Sequence, residues 1–199
     1  MRIYIIRHAD PDYANKTITK AGHLEAKALA DRMQRQGLDR IFVSPLGRAR
    51  HTMKYTADLL GMEHTVLDWV QEIGEFSVPR KDGGHEAAWN TDGEIIRRRP
   101  LPTSENWQAR PPFDDPSFPG VYNYIKNNSD EFITSLGYSR EDGAYRITAR
   151  NNDQIAVFCH GGFGLTWIAH LLDLPLPLVW SGMFIAPSSV TTILFDERT

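Results

Sequence analysis

Two histidines, two arginines and a carboxylate stand where apolar runs of the chain break off. Arg7 and His8 follow Ile3–Ile6, and Arg48 lies shortly after Ile41-Phe42-Val43, in Ser44-Pro45-Leu46-Gly47-Arg48. His160 follows Ile155–Phe158, in Cys159-His160-Gly161-Gly162, and Glu72 closes the run from Leu67. These residue types suit phosphoryl transfer. A phosphate ester carries roughly −1.5 to −2 charges at neutral pH, and its transfer depends mainly on positioning and on neutralising three equatorial oxygens. Arginine's planar fork donates two parallel hydrogen bonds to such oxygens. A unit charge pair at ~4 Å gains about 4 kcal/mol at an effective dielectric of ~20, so two arginines are a large contribution. A neutral imidazole can attack phosphorus and form a covalent intermediate, and nearby cations are expected to lower the pKa of His8 and keep it nucleophilic. The leaving oxygen then needs a proton from a positioned carboxylic acid. Glu72 is the candidate and Glu75 the alternative.

These residues need elements to carry them. Ile3–Ile6 reads as a strand covered on both faces. Thr19 reads as an N-cap, with Ala21, Leu24, Ala28, Leu29 and Met33 at helical spacing and Gly37 as the stop. Arg40–Val43 reads as a second strand, and Ser44-Pro45 as an N-cap with proline at the first helical position. That helix is expected to run to about Leu60 and end at Gly61, before a short strand around His64–Leu67. Regularity fails from about 76 to 120, which holds most of the prolines, Gly83-Gly84, Trp89 and Trp107. So long an irregular stretch in a compact domain is expected to be functional, an insertion that caps the substrate and sets its identity. A helix is expected over Val121–Leu136, strands over Tyr145–Thr148, Ile155–Phe158 and Ser189–Phe195, and a buried helix after Gly162. Strands alternating with helices imply an α/β fold with a mostly parallel sheet, helices on both faces, and a ligand site at the carboxyl ends of the strands. Helix N-termini at Arg48 and after His160 would add backbone donors there.

The 199 residues fit one domain, 41% hydrophobic and 24% charged, as a soluble globular protein would be. The net charge of −3 gives no hint of nucleic acid, no apolar run is long enough for a membrane span, and Met1–Arg7 is too short for a signal peptide. The single cysteine excludes an internal disulfide and favours a reducing, cytoplasmic setting. A cysteine-phosphatase reading of Cys159 fails, because that chemistry needs an arginine six residues on and position 165 is Leu165; a small buried hydrophobe fits better. His8 and Asp10 lack a third ligand at a recognisable metal-site spacing. Arg50 and Arg97-Arg98-Arg99 read as solvated charge, and His23, His51, His64 and His170 as surface or core histidines. His85, in the insertion, is a weaker candidate to line the site.

The motifs resemble those of the histidine phosphatase superfamily, the phosphoglycerate mutase-like proteins. Arg7-His8-Ala9-Asp10 is similar to the opening motif, whose histidine is phosphorylated. Thr19-Lys20-Ala21-Gly22 with Glu25-Ala26 is similar to the helix start that follows it. Ser44-Pro45-Leu46-Gly47-Arg48-Ala49 with Thr52 resembles the second arginine motif, Gln71-Glu72-Ile73 the segment of the acid, and Cys159-His160-Gly161-Gly162 the second histidine motif. The resemblance implies a three-layer α/β/α sandwich, with His8 as nucleophile, Arg7, Arg48 and His160 as phosphate ligands, and Glu72 as general acid. Asn15, Glu75 and Gly161 are further candidates for substrate contact. No metal and no organic cofactor are implied, and the partner is a small phosphorylated metabolite; the oligomeric state is open. Two departures stand out. Asp10 occupies a position where Glu or Gln is commoner and is followed by Pro11-Asp12-Tyr13, and Ile73-Gly74-Glu75-Phe76-Ser77 replaces the usual glycine-tryptophan-glutamate run. A phosphatase is the favoured function. The alternatives are a phosphoglycerate mutase-type phosphotransferase, with Asn15 in a comparable loop, and a catalytically inactive phosphate-binding protein.

Overall fold

The computed structural model describes residues 1–196. They divide into two compact units, one of Met1–Glu72, Arg150–Gly164 and the chain from Ile185, the other of Ile73–Ala149 and Leu165–Phe184. The first unit carries β1 (Arg2–Arg7), α1 (Lys20–Gln36), β2 (Arg40–Val43), α2 (Gly47–Leu60), β3 (Thr65–Val66), β4 (Gln154–Cys159), the first turn of α3 (Gly161–Leu171), and β5 (Val190–Leu194). Its sheet has the order β5-β1-β4-β2-β3. β1, β4, β2 and β3 run parallel, with Ile3 opposite Ile155, Ala156 opposite Ile41 and Phe42 opposite Thr65. β5 lies antiparallel on the edge, Thr191 opposite Ile5. The protein is a mixed α/β fold on a mostly parallel sheet.

The apolar runs do what their composition requires. Ile3, Tyr4, Ile5 and Ile6 are all buried, as are Ile155 to Cys159, and each such side chain contributes about 1.5–3 kcal/mol of burial. Tyr4 and Ile6 share a core with Leu29 and Met33 of α1, Ile41 and Val43 of β2, and Met53 and Ala57 of α2. α1 begins where expected: Thr19 Oγ1 accepts the Gly22 N–H at 3.0 Å, and the Gly37 N–H closes the helix on the Met33 carbonyl. α2 ends on Gly61 at φ 62°, a left-handed position that glycine fills without steric cost. Its start differs from expectation. Leu46 occupies the cap position with no side-chain bond and Ser44-Pro45 precede the helix; the Ser44 hydroxyl accepts the Leu46 N–H rather than an N–H of the helix.

The second unit is organised by aromatic packing more than by regular elements. Trp107, 1% exposed, meets the rings of Phe76, Phe113, Phe118, Tyr122 and Trp180 at centroid distances of 5.4–6.4 Å, mostly in the edge-to-face geometry such rings prefer. The irregular stretch therefore shares an aromatic core with the helices that carry Tyr122 and Trp180, and adds a small hairpin, Ser77–Pro79 with His85–Ala87, and one helical turn, Gly93–Ile96. The next helix starts earlier than expected, at Phe118, and runs to Ser135. A second hairpin, Tyr138–Glu141 with Ala144–Ile147, turns through Asp142 and Gly143, both at positive φ, and a helix at Leu176–Gly182 adds to it. Trp167 and His170 of the buried helix bond Ser129 and Asp130 at 2.8 Å each. Among the described residues no helix is long and apolar enough to cross a membrane.

Candidate active site

The carboxyl ends of β1, β2 and β4 deliver Arg7-His8, Ser44 and Cys159-His160. The turn after β1 is held at almost every backbone group. The His8 N–H donates to the Cys159 carbonyl, and the His8 carbonyl accepts from Ser188. The Ala9 N–H donates to Thr52 Oγ1 at 2.9 Å, and Thr52 in turn donates to the Arg48 carbonyl at 2.8 Å. The Asp10 N–H donates to Glu25 at 3.0 Å, and its carboxylate accepts the Thr19 hydroxyl at 2.6 Å. Asp10 thus ties the turn to the α1 cap, a structural role for its carboxylate.

His8 is 1% exposed and its Nδ1 lies 2.7 Å from the Ala9 carbonyl oxygen. A carbonyl only accepts, so Nδ1 carries the proton and Nε2 keeps its lone pair. The pKa of His8 is lowered to about 4, first by burial, then by the charges of Arg48 and Arg7, against the Ala9 hydrogen bond and Asp10. The cations anticipated from the sequence do contribute, but desolvation is the larger cause. The His160 ring centroid lies 5.2 Å from that of His8, and its Nε2 is 2.7 Å from Ser44 Oγ. Burial foremost, then Arg48, His8 and Arg7, push its pKa down to about 2.

Arg7 is anchored by donating from Nη1 to the Ile185 carbonyl at 2.7 Å. Gly161 makes room for it, since a Cβ there would stand 3.2 Å from Arg7 Cζ; this backbone-to-guanidinium approach is the role found for Gly161. Arg48, half-buried in the first turn of α2, lies 5.5 Å above the Tyr13 ring, within cation–π range, and the Glu72 charge supports its charged form against burial. Glu72 accepts the Phe163 N–H at 2.8 Å and the Gly162 N–H at 3.3 Å. The helix start after His160, expected to offer its donors to phosphate, gives two of them to Glu72 in this structure.

Arg7, His8, Arg48, Glu72, His160 and Gly161 all belong to the first unit. Glu75 is exposed and belongs to the second. Asn15 is in the first unit but exposed, and its side-chain and backbone N–H groups both bond the Asp12 carboxylate, at 2.8 and 3.1 Å. Cys159 is wholly buried, with a thiol pKa raised by that burial, as a small apolar residue would be. Ser44 went unrecognised in the sequence because the Ser-Pro pair also signals a helix start. Tyr13 had no signal beyond its unusual loop.

Two buried neutral imidazoles make stability depend on pH. Both pKa values are lowered from 6.5 on folding, so below pH 6.5 the unfolded chain binds protons that the native state refuses. Stability present above pH 6.5 is lost as pH falls towards 4, by on the order of 5 kcal/mol at pH 4.5, roughly half from each ring. Urea unfolding at pH 7.0, 5.5 and 4.5 would show the midpoint falling; a constant midpoint would mean that both rings take up protons in the native state as readily as in the unfolded chain.

Residues 3–115 match the profile of the histidine phosphatase superfamily (branch 1). No curated protein matches the chain. Among solved structures it is similar to a phosphoserine phosphatase from Entamoeba histolytica, at 18% identity and a TM-score of 0.62 over 98% of this chain and 91% of that one. It is similar to the mycobacterial glucosyl-3-phosphoglycerate phosphatase in complex with VO3, at 17% and 0.59 over 96% and 91%, and to the alpha-ribazole phosphatase from Shigella flexneri, at 17% and 0.60 over 100% and 92%.

Proposed function

Because the chain belongs to the histidine phosphatase superfamily, we propose that it is a metal-independent phosphatase that hydrolyses a small phosphomonoester through a phosphohistidine on His8. The observation that carries this reading is the His8 ring, neutral by burial and fixed by the Ala9 carbonyl so that Nε2 keeps its lone pair. Nε2 attacks phosphorus while the bond from phosphorus to the ester oxygen breaks. The departing oxygen takes a proton from the Glu72 carboxyl group. Water then attacks the phosphohistidine, Glu72 takes a proton from that water, and His8 is regenerated as phosphate leaves. Arg7, Arg48 and His160 hold the phosphoryl oxygens throughout, so neutralisation comes from side chains. The phosphatase names of the similar structures favour hydrolysis over mutase chemistry.

The test is turnover of an aryl phosphate in EDTA, with denaturation in alkaline detergent to preserve label on the protein and a later acid step to release it. Turnover with an acid-labile phosphoryl group mapped to His8 is expected. Turnover that EDTA abolishes would overturn the reading, and interconversion of phosphoglycerates without net hydrolysis would establish a mutase instead.

A further inference from the structure

Ser44 is fully buried and its own N–H is fixed on the Phe158 carbonyl. A serine hydroxyl has one proton to donate and two lone pairs. One lone pair takes the Leu46 N–H at 3.2 Å. The remaining partner among the described residues is His160 Nε2, at 2.7 Å. A buried hydroxyl proton needs an acceptor, and the Nε2 lone pair is the one within reach. The ring proton of neutral His160 must then sit on Nδ1, the buried ring nitrogen that has no protein partner among the described residues.

We infer that Ser44 is a positioning residue: its hydroxyl holds His160 in the Nδ1–H tautomer, so that Nδ1 serves as a donor to the transferring phosphoryl group. The two neighbouring imidazoles are thereby put to opposite uses. A carbonyl at Nδ1 of His8 leaves a lone pair at Nε2 for attack, whereas a hydroxyl at Nε2 of His160 leaves an N–H at Nδ1 for binding. What this N–H meets rests on the phosphatase reading; the tautomer does not.

The experiment is long-range proton–nitrogen NMR on the full chain labelled at histidine nitrogens, at neutral pH, with the His160 signals identified by their loss in His160→Gln. In the wild type, Nδ1 of His160 is expected as the protonated nitrogen and Nε2 as the bare one. In Ser44→Ala the ring is expected to become a mixture of tautomers, with kcat for an aryl phosphate and affinity for vanadate each falling roughly 10- to 100-fold and KM changing little; Ser44→Thr, which keeps the hydroxyl, is expected to restore both. A wild-type ring protonated on Nε2 overturns the inference without any variant, and so does a Ser44→Ala protein whose His160 tautomer and kcat are unchanged. A wild type with the expected tautomer but no phosphohistidine would instead overturn the phosphatase reading and leave the positioning role of Ser44 standing.

Discussion

Replacing His8 with alanine is expected to lower kcat for an aryl phosphate by on the order of 10⁴- to 10⁶-fold, the range seen when a covalent nucleophile is removed. The loss should fall on kcat. The proposed phosphate-binding groups, Arg7 on the Ile185 carbonyl and Arg48 beside Tyr13, are anchored independently of the His8 ring, so vanadate or inorganic phosphate should still bind. No acid-labile label should form. Wild-type activity is also expected to show a characteristic acid limb. An ordinary histidine is half protonated at pH 6.5, but His8 has a pKa of about 4. Its nucleophilic form therefore persists as pH falls through 6, and the limb due to this ring belongs near pH 4. A pH profile of kcat/KM over pH 4–7 would show it, and a limb centred near 6.5 would mean that His8 is not held neutral. Full activity in His8→Ala would remove the nucleophile from the mechanism altogether.

Legibility in the sequence followed the locality of the signals. β1, β2 and β4 could be read because a strand buried on both faces is a continuous apolar run, and His8 and His160 because each follows such a run directly. The Thr19 cap and the Gly61 stop are local too, decided by residues next to them. Ser44 shows the converse. Its sequence neighbours favour a helix cap, but its hydroxyl bonds His160, far along the chain, and that partner appears only when β2 and β4 pair. The burial that sets the His8 pKa is likewise a property of the assembled core, so the sequence pointed to the cations, the lesser cause. The irregular stretch hid its organisation because aromatic clustering around Trp107 has no period. The Asp142-Gly143 hairpin does carry a local signal, an Asp-Gly pair at positive φ.

The second large effect is expected at Arg48. Arg48→Ala should lower kcat/KM by roughly 10³-fold, the lower end of what an arginine on a transferring phosphoryl group contributes. Part of the loss is the guanidinium's charge and part is its geometry, and Arg48→Lys separates them. Lysine keeps the charge but as a point on a flexible stem, without the planar fork that donates two parallel bonds. It also lacks the flat face that Arg48 lays over Tyr13 at 5.5 Å. If geometry dominates, Lys should recover no more than about tenfold of the loss; recovery close to wild type would show that charge alone is needed. The Arg48 backbone carbonyl accepts from Thr52, which also receives the Ala9 N–H beside His8, but both bonds use main-chain atoms of Arg48 and Ala9. Side-chain replacement at 48 should therefore leave the turn after β1, and with it the Ala9 bond to His8 Nδ1, in place. His8 should remain neutral in both variants, because burial is the main cause of its low pKa, and losing one cation nearby should move the acid limb only slightly upward in Arg48→Ala. A large shift of that limb, or a drop in kcat/KM explained by unfolding in circular dichroism, would show that Arg48 acts on the fold or on His8 rather than on the phosphoryl oxygens.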